Sequence, residues 1–432
     1  MKSTSKMIVA ILLCLFLPVM GIGAGGQQGE TGTAEPVKLT VAYHWTGTDS
    51  KAPVWEARIK EFQSAHPEIE LELVVRGGDA HRHGVSQEFA AGNPPDVFVY
   101  WSDENYAGLF KRDGLLLDLT DFVKSDPDLK NRYNPSGLVK DSYQGRYYGI
   151  PLTSYYCFMY VNEKMLKKYA LALPTTYDVF MSSMEKMKGQ GVLPFTTLAA
   201  GGDIELLWSA ILLKQAPISE IEDVVSGKTS FDNPDFVKTT NMFQDISGYL
   251  QPGLIAEDYE YPMLQYNNGE TPMAYSASWM IGTVGGEVAE STVAMQFPKI
   301  AGSKADPKVI MGGHAMSLYA SSQVGKDEDK EAAAKTFMKF MSDPVVYARL
   351  TEEAGSITAG LNIPYDKSKV NPIIGSLMKL TADLSPYAMF SALCDAVTCD
   401  EMKNLLDGIV VGSASIDDFV KGTNQSLIDN RQ

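Results

Sequence analysis

The chain has 432 residues, 45% of them apolar and 21% charged, and carries a formal net charge of −16. That length exceeds what one ordinary core supports and calls for two or more lobes. With 53 acidic against 37 basic side chains, nucleic acid and anionic membrane surfaces are disfavoured as partners, because phosphate binding needs clustered Lys and Arg.

The N-terminus reads as an export signal. Lys2 and Lys6 precede the apolar run MIVAILLCLFLPVM (7–20), which Pro18 interrupts and GIGAGG follows. The run is short for a bilayer span, so residues 1–26 are expected to be cleaved and 27–36 to form a flexible leader. Two lysines and no acids leave with the signal, so the net charge falls from −16 to −18. Cys14 lies deep in the run behind Leu13, a poor context for lipid attachment. In an oxidising compartment Cys394 and Cys399 either form a small-loop disulfide or stay as two buried thiols; their spacing leaves both open. Cys157, in YYCFMYV, reads as a small buried hydrophobe. There is no CxxC, HExxH or P-loop, and His81 and His83 in DAHRHG read as loop residues without further ligands. Neither a metal nor a cofactor is expected.

The first strand is VKLTVAYHW (37–45), with Leu39, Val41 and Tyr43 alternating against Thr40, Ala42 and His44. A helix follows, with Asp49 or Ser50 as N-cap and Val54, Trp55, Ile59 and Phe62 on one face. IELELVV (69–75) alternates again, VSQEFAAG (85–92) is helical, and PPDVFVYW (94–101) is a third strand. This β-α-β-α-β order implies a parallel sheet covered by helices, with ligands beyond the carboxyl ends of the strands. Aromatics stand at two of those ends: His44 with Trp45, and Tyr100 with Trp101. Downstream, 147–166 is a strand and then a helix, and 173–187 is a helix with Thr175 or Thr176 at its N-cap and Val179, Met184 and Met187 inside. In GETPMAYSASWMIG (269–282), PMAYSAS is a strand that delivers Trp279. MGGHAMSLYA (311–320) is a strand entered through a Gly pair, 330–344 a helix with a Pro stop, and 355–432 mostly helical.

The order of several motifs is recognisable: EFQSAHPEI (61–69), AAGNPPDV (90–97), GLLLDLTDFV (114–123), YGIPL (148–152), YVNEKMLKKYALALPTTYDVF (160–180), GETPMAYSASW (269–279), GGHAMSLYASS (312–322) and AAAKTFMKFMSDPVVY (332–347). In this order the chain resembles the family 1 extracellular solute-binding proteins of ABC importers, the maltose-binding-like group, and above all its sugar binders. YVNEK and PTTYDVF depart from the family's usual YYNK and P.TWDE, which changes surface or packing detail only. The resemblance implies a two-lobed α/β fold of the type II periplasmic-binding-protein kind. The N-terminal lobe would be 37–147 plus 298–350 and the C-terminal lobe 151–294 plus 355–432. The chain would cross the hinge near Gly149–Pro151, Gln296–Pro298 and Glu353–Ser356.

By the same resemblance a mono- or oligosaccharide lies between the lobes and hinge closure buries it. Aromatic faces match the sugar's C–H patches, while amides and carboxylates match its hydroxyls. Stacking candidates are Trp45, Trp101, Tyr156, Trp208 and Trp279, with Trp55 assigned to the core. Polar candidates are His44, Asp49, Asp103, Glu104, Asp203 and His314, although each acid also reads as a solvated loop or N-cap residue. The partners implied are a carbohydrate and the membrane permease of an importer driven by a cytoplasmic ATPase, with the protein itself exported and monomeric. Two other classes compete. A glycosidase needs two carboxyls at a set separation, which spacing does not demonstrate. A binder of a non-sugar such as ferric ion or a polyamine is the other, and for ferric ion the adjacent tyrosines Tyr147–Tyr148 and Tyr155–Tyr156 give some support.

Overall fold

The computed structural model describes residues 35–133, 135–360 and 363–431. The expected signal peptide, Cys14 and most of the leader lie outside the described residues. Strands β1 (Val37–Tyr43), β2 (Ile69–Val75) and β3 (Val97–Trp101) are parallel, with Val37 opposite Ile69 and Val41 opposite Val97. Helices α1 (Ala52–Ala65) and α2 (Gly78–Ala90) are the crossovers between them. On α1, Val54, Trp55, Ile59 and Phe62 are buried as their helical spacing requires. Helix α2 begins seven residues before the apolar pattern shows it, through GDAHRHG. His81 and His83 are therefore helical and not in a loop, and His81 is wholly buried.

Beyond α3 (Ala107–Arg112), the ribbon β4 (Ser142–Tyr143) and β5 (Arg146–Tyr147) leads into β6 (Gly149–Asn162). Four shorter strands follow: β7 (Thr196–Thr197), β8 (Met273–Ala277), β9 (Thr292–Met295) and, after β10 (Val309–Ala320), β11 (Ser385–Tyr387). The sheet order is β2-β1-β3-β10-β6-β8-β7, with β9 added on β6 and β11 on β10. β10 runs antiparallel to both β3 and β6.

β6 and β10 are long because each serves two cores. Ile150 and Leu152 of β6 pack with Met316, Leu318 and Ala320 of β10 in one apolar cluster, together with β1 and α1. Phe158, Met159 and Tyr160 of β6 pack with Val309 and Met311 of β10 in another, together with residues 166–300 and 373–427. Phe89, Phe98, Tyr100 and Phe110 form a third, smaller cluster on the other face of the first sheet segment. Two lobes thus share one hydrogen-bonded sheet. A third segment runs between the cores at 357–359, where Ser154 N donates to Ile357 O and Ala359 N to Leu152 O. Between the cores the ladder of β6 and β10 slips: His314 faces Ser154, Met316 faces Thr153, and Ala315 is unpaired and touches both cores.

Candidate functional site

The first wall of the site stands at the carboxyl ends of β1 and β3. Trp101, the last residue of β3, is half-buried, with its ring 4.9 Å from His44 and 6.3 Å from Tyr106. His81 of α2 lies 5.6 Å from His44, and its Nε2 donates to the Val99 carbonyl at 2.8 Å. Burial pushes the pKa of His81 down to about 4, and burial with His81 and Lys51 nearby pushes that of His44 well below its ordinary value. Trp101 therefore rests on two neutral imidazoles. One residue further along α2, Arg82 donates to Tyr106 Oη at 2.5 Å and pairs with Asp79 at 3.2 Å.

The second wall is built on the 3₁₀ turn Ser278–Thr283, which follows β8 and carries Trp279. The indole Nε1 donates to Tyr259 Oη at 3.0 Å, and Tyr259 Oη donates to Asp203 Oδ2 at 2.8 Å. Asp203 closes the turn Ala200–Gly202 and lies 3.9 Å from Lys403 Nζ. Burial raises the Asp203 pKa, against the pull of Lys403 and of the Tyr259 hydroxyl. For Lys403 burial acts downward, but Asp203 and its neighbours outweigh it and the pKa rises. The Lys403 stem lies over Gly202, where a Cβ would come within 2.8 Å of it, so this position needs glycine for close approach as well as for its φ of +79°.

The walls meet. A Cβ on Gly201 would lie 3.7 Å from Asp79 Oδ2, and Thr48 Oγ1 donates to Glu260 Oε1 at 3.0 Å. Asp79 and Arg82 of α2 act electrostatically on Asp203. Trp101, beside α2, and Trp279, linked through Tyr259 to Asp203, thus stand on the two segments that approach each other here. Tyr156, half-buried on β6, lies over Gly312 of β10, where a Cβ would meet its ring at 2.6 Å. Tyr155, beside it, is 5.9 Å from Trp279. His314 is at the crossing, with its side chain 6% exposed.

Two stacking candidates belong elsewhere. Trp45 is fully buried, edge-on to Trp55 at 4.8 Å and 86°. Trp208 is fully buried, stacked on Phe231 at 5.7 Å and 11°, with Nε1 donating to Thr240 Oγ1 at 3.1 Å. Both are core residues, because a solute in the cleft cannot reach a ring enclosed on all faces. Several acids are also committed within the protein. Asp49 accepts from Lys51 N at 2.9 Å and pairs with its Nζ at 2.8 Å. Asp103 pairs with Lys140 at 2.8 Å, and Glu104 pairs with Arg112 at 2.9 Å beneath Gly108. Each carboxylate is held by a local cation and serves the turn that carries it. Cys157, Cys394 and Cys399 are buried free thiols, and burial pushes Cys399 up to about 11.

Sequence reasoning missed Tyr106, Arg82, Tyr259 and Lys403. None carries a local signal: Tyr259 sits in AEDYEYP and Lys403 in an ordinary helix, Ala396–Val411.

Comparison with known proteins bears on the same architecture. The family model described as bacterial extracellular solute-binding protein matches residues 47–348. The chain is 24% identical over 362 residues to the melibiose/raffinose/stachyose-binding protein MelE of Bacillus subtilis, covering 80% of each. To the multiple sugar-binding protein of Streptococcus mutans it is 21% identical over 414 residues, covering 89% of this chain and 92% of the relative. In structure it resembles a chitin oligosaccharide binding protein (TM-score 0.84, 18% identity, covering 92% of this chain and 99% of that one). It also resembles the maltose-bound MalE3 of T. maritima (TM-score 0.75, 17% identity, covering 91% and 99%). With the family model matching well over half of its length, the chain belongs to the bacterial extracellular solute-binding protein family.

Proposed function

We propose that this protein captures a mono- or oligosaccharide outside the cytoplasm and delivers it to the permease of an ABC importer. The observation that carries this reading is the pairing of partly exposed aromatics on two walls. Trp101 rests on neutral His44 and His81 on one side, and Trp279 is held by Tyr259 and Asp203 on the other. Indole faces fit the C–H faces of a pyranose, and the polar groups between them fit its hydroxyls. Sugar binding by MelE, the multiple sugar-binding protein and the structural relatives supports the same chemistry.

The site residues of this reading are Trp101, Tyr156, Trp279, His44, Asp203 and His314, joined by Tyr106, Arg82, Tyr259 and Lys403. The lobes move about the three segments near 153–156, 312–315 and 357–359 rather than the expected crossing near Gln296–Pro298, because Ile300, Val309 and Met311 still pack in the second core, and closure brings α2 against the 200–203 turn. The protein works as a monomer, in the periplasm or at the cell surface, without a cofactor and without turning over its ligand.

A thermal-shift screen tests this directly, because a ligand that binds only the folded state raises the melting temperature. The panel holds mono- and oligosaccharides, with amino acids, polyamines and Fe(III) as the competing classes. A rise in Tm with at least one sugar, with no hydrolysis product on prolonged incubation, is the expected result. A rise only with a non-sugar, a charge-transfer band with iron, or sugar turnover would sink it.

A further inference from the structure

The turn that carries Trp279 meets the first lobe with no side chain of its own between them. A Cβ on Gly282, in the 3₁₀ turn Ser278–Thr283, would lie 2.5 Å from Ala354 O and 2.7 Å from both Cβ and Oγ of Ser50. Non-bonded carbon atoms keep roughly 3.5 Å, so there is no room for a methyl group. A Cβ on Gly355 would in turn lie 2.9 Å from Gly282 N and 3.1 Å from its Cα. Ser50 stands just before α1, and Ala354 packs in the core that β1 and α1 share. Met280 and Ile281, on the turn itself, pack in the other core. The contact therefore joins the two lobes, and it is made largely of main chain.

Both sides of the contact are braced. Ser50 Oγ donates to Ala354 O at 2.8 Å on the first lobe. On the second, Asn371 Nδ2 donates to Ile281 O at 3.1 Å and to Val284 O at 2.7 Å, which holds the turn from both ends. The backbone at Gly282 is not left-handed, so space and not conformation demands glycine there. Gly355 leads into the crossing segment 357–359, where Ser154 N donates to Ile357 O. Lobes that turn about a few hinge residues move least beside them, so a contact placed here persists through the motion.

We propose that Gly282 is a positioning residue for Trp279. With Gly355 and Ser50 it forms the fulcrum on which the lobes turn, and its missing side chain sets how near the indole, three residues earlier, comes to the first lobe. A methyl group at 282 is accommodated only by lifting this turn off Ser50 and Ala354, which tilts the lobes apart and carries Trp279 with them. The positioning role rests on the carbohydrate reading above; the tilt does not, because it is measured without ligand.

The test places spin labels at Lys60→Cys of α1 and Gln244→Cys of helix Pro234–Ser247, both exposed, and reads their separation by double electron–electron resonance. Gly282→Ala should lengthen the ligand-free separation. It should also weaken the Kd of the sugar found by screening about tenfold, as when one molecule in ten can still close. Gly285→Ala is the matched control: Gly285 is extended (φ −137°, ψ −177°) and a Cβ there meets nothing within 4 Å, so separation and Kd should stay at their wild-type values. Adding Ser50→Gly to Gly282→Ala removes two of the three close contacts and should bring both readouts part of the way back, which a general loss of folding would not. An unchanged separation in Gly282→Ala, a longer separation with an unchanged Kd, or no recovery on adding Ser50→Gly would each overturn the proposal. Should Gly282→Ala not fold, the double variant is compared with Ser50→Gly alone and must still show the longer separation, because the Ala354 carbonyl remains in the way. Equal separations, or a double variant that does not fold, would overturn it as well. If no sugar binds, the positioning role falls with the carbohydrate reading, and the ligand-free separations decide the fulcrum by themselves.

Discussion

Replacing Trp279 with alanine separates a binding role from a packing role. The indole is partly exposed, held through Nε1 by Tyr259 at 3.0 Å and flanked by Tyr155 at 5.9 Å. Truncation removes one wall of the stacking site. A desolvated aromatic anchor of this kind is typically worth about 2–4 kcal/mol of binding, or roughly 30- to 1,000-fold in Kd. Its cost to folding is smaller, on the order of 1–2 kcal/mol for a ring not enclosed in the core. Trp208→Ala is the matched control. Trp208 is sealed among Phe231, Phe236, Phe390 and Phe419 and bonds Thr240, so its truncation should cost about 3–5 kcal/mol of stability. Calorimetric titration with the sugar found by screening gives Kd at 25 °C, and scanning calorimetry of the same samples gives Tm. The expected pattern is crossed: Trp279→Ala loses affinity with a small fall in Tm, and Trp208→Ala loses Tm with its Kd unchanged while folded. If Trp279→Ala instead lowers Tm as far as Trp208→Ala and leaves Kd alone, the cleft assignment is wrong.

Three further outcomes follow from the same geometry. Tyr259→Phe removes the hydroxyl that bridges Trp279 and Asp203, which should weaken sugar binding about tenfold by titration; an unchanged Kd would show that the relay does not position the indole. Lys214 is buried on helix Glu205–Gln215, donates to Val309 O at 2.5 Å, and burial brings its pKa from 10.5 down to about 8. Between those values the unfolded chain holds a proton that the folded one lacks, so stability should rise with pH from about 8 towards 10.5, and Lys214→Met should abolish that rise in urea titrations. His81, at about 4 in the folded chain against 6.5 ordinarily, should make the protein less stable as pH falls through that window; His81→Gln should lose less Tm than wild type between pH 7 and pH 4.5.

What could be read without the structure was whatever depends on local order. Alternation in IELELVV gave β2 to the residue, because a half-buried strand needs period two. Thr176 caps the helix Tyr177–Lys188 through Val179 N, as a threonine before an apolar run should. The start of α2 was not readable. GDAHRHG has no apolar stripe, and what holds it helical is His81, buried under β3 through the Val99 carbonyl, a contact 18 residues away. The site was half legible for a similar reason. Types could be named, but Arg82, Tyr259 and Lys403 owe their place to partners 24, 56 and 200 residues distant: Tyr106, Asp203 and Asp203 again.

Trp45 and Trp101 show where pattern reasoning stops. Each stands at the carboxyl end of a parallel strand, each is preceded by another aromatic ring, and each leads into a polar turn. On sequence alone they are equivalent, yet one is enclosed and the other is half-buried. The difference lies in what packs against each strand end. α1 brings Trp55 edge-on to Trp45 and, from just before its first turn, the Lys51 ammonium 5.9 Å from the ring. From α2 only His81 comes near Trp101, with ring centroids 6.3 Å apart, and β10 places Met316, not a ring, opposite it. Since side chains alternate across a strand, a shift of one residue past the strand end reverses the face presented. β1 ends at Tyr43 and places His44, not Trp45, against Trp101. The aromatic of the first strand that reaches Trp101 is therefore the histidine, and the tryptophan beside it secures α1.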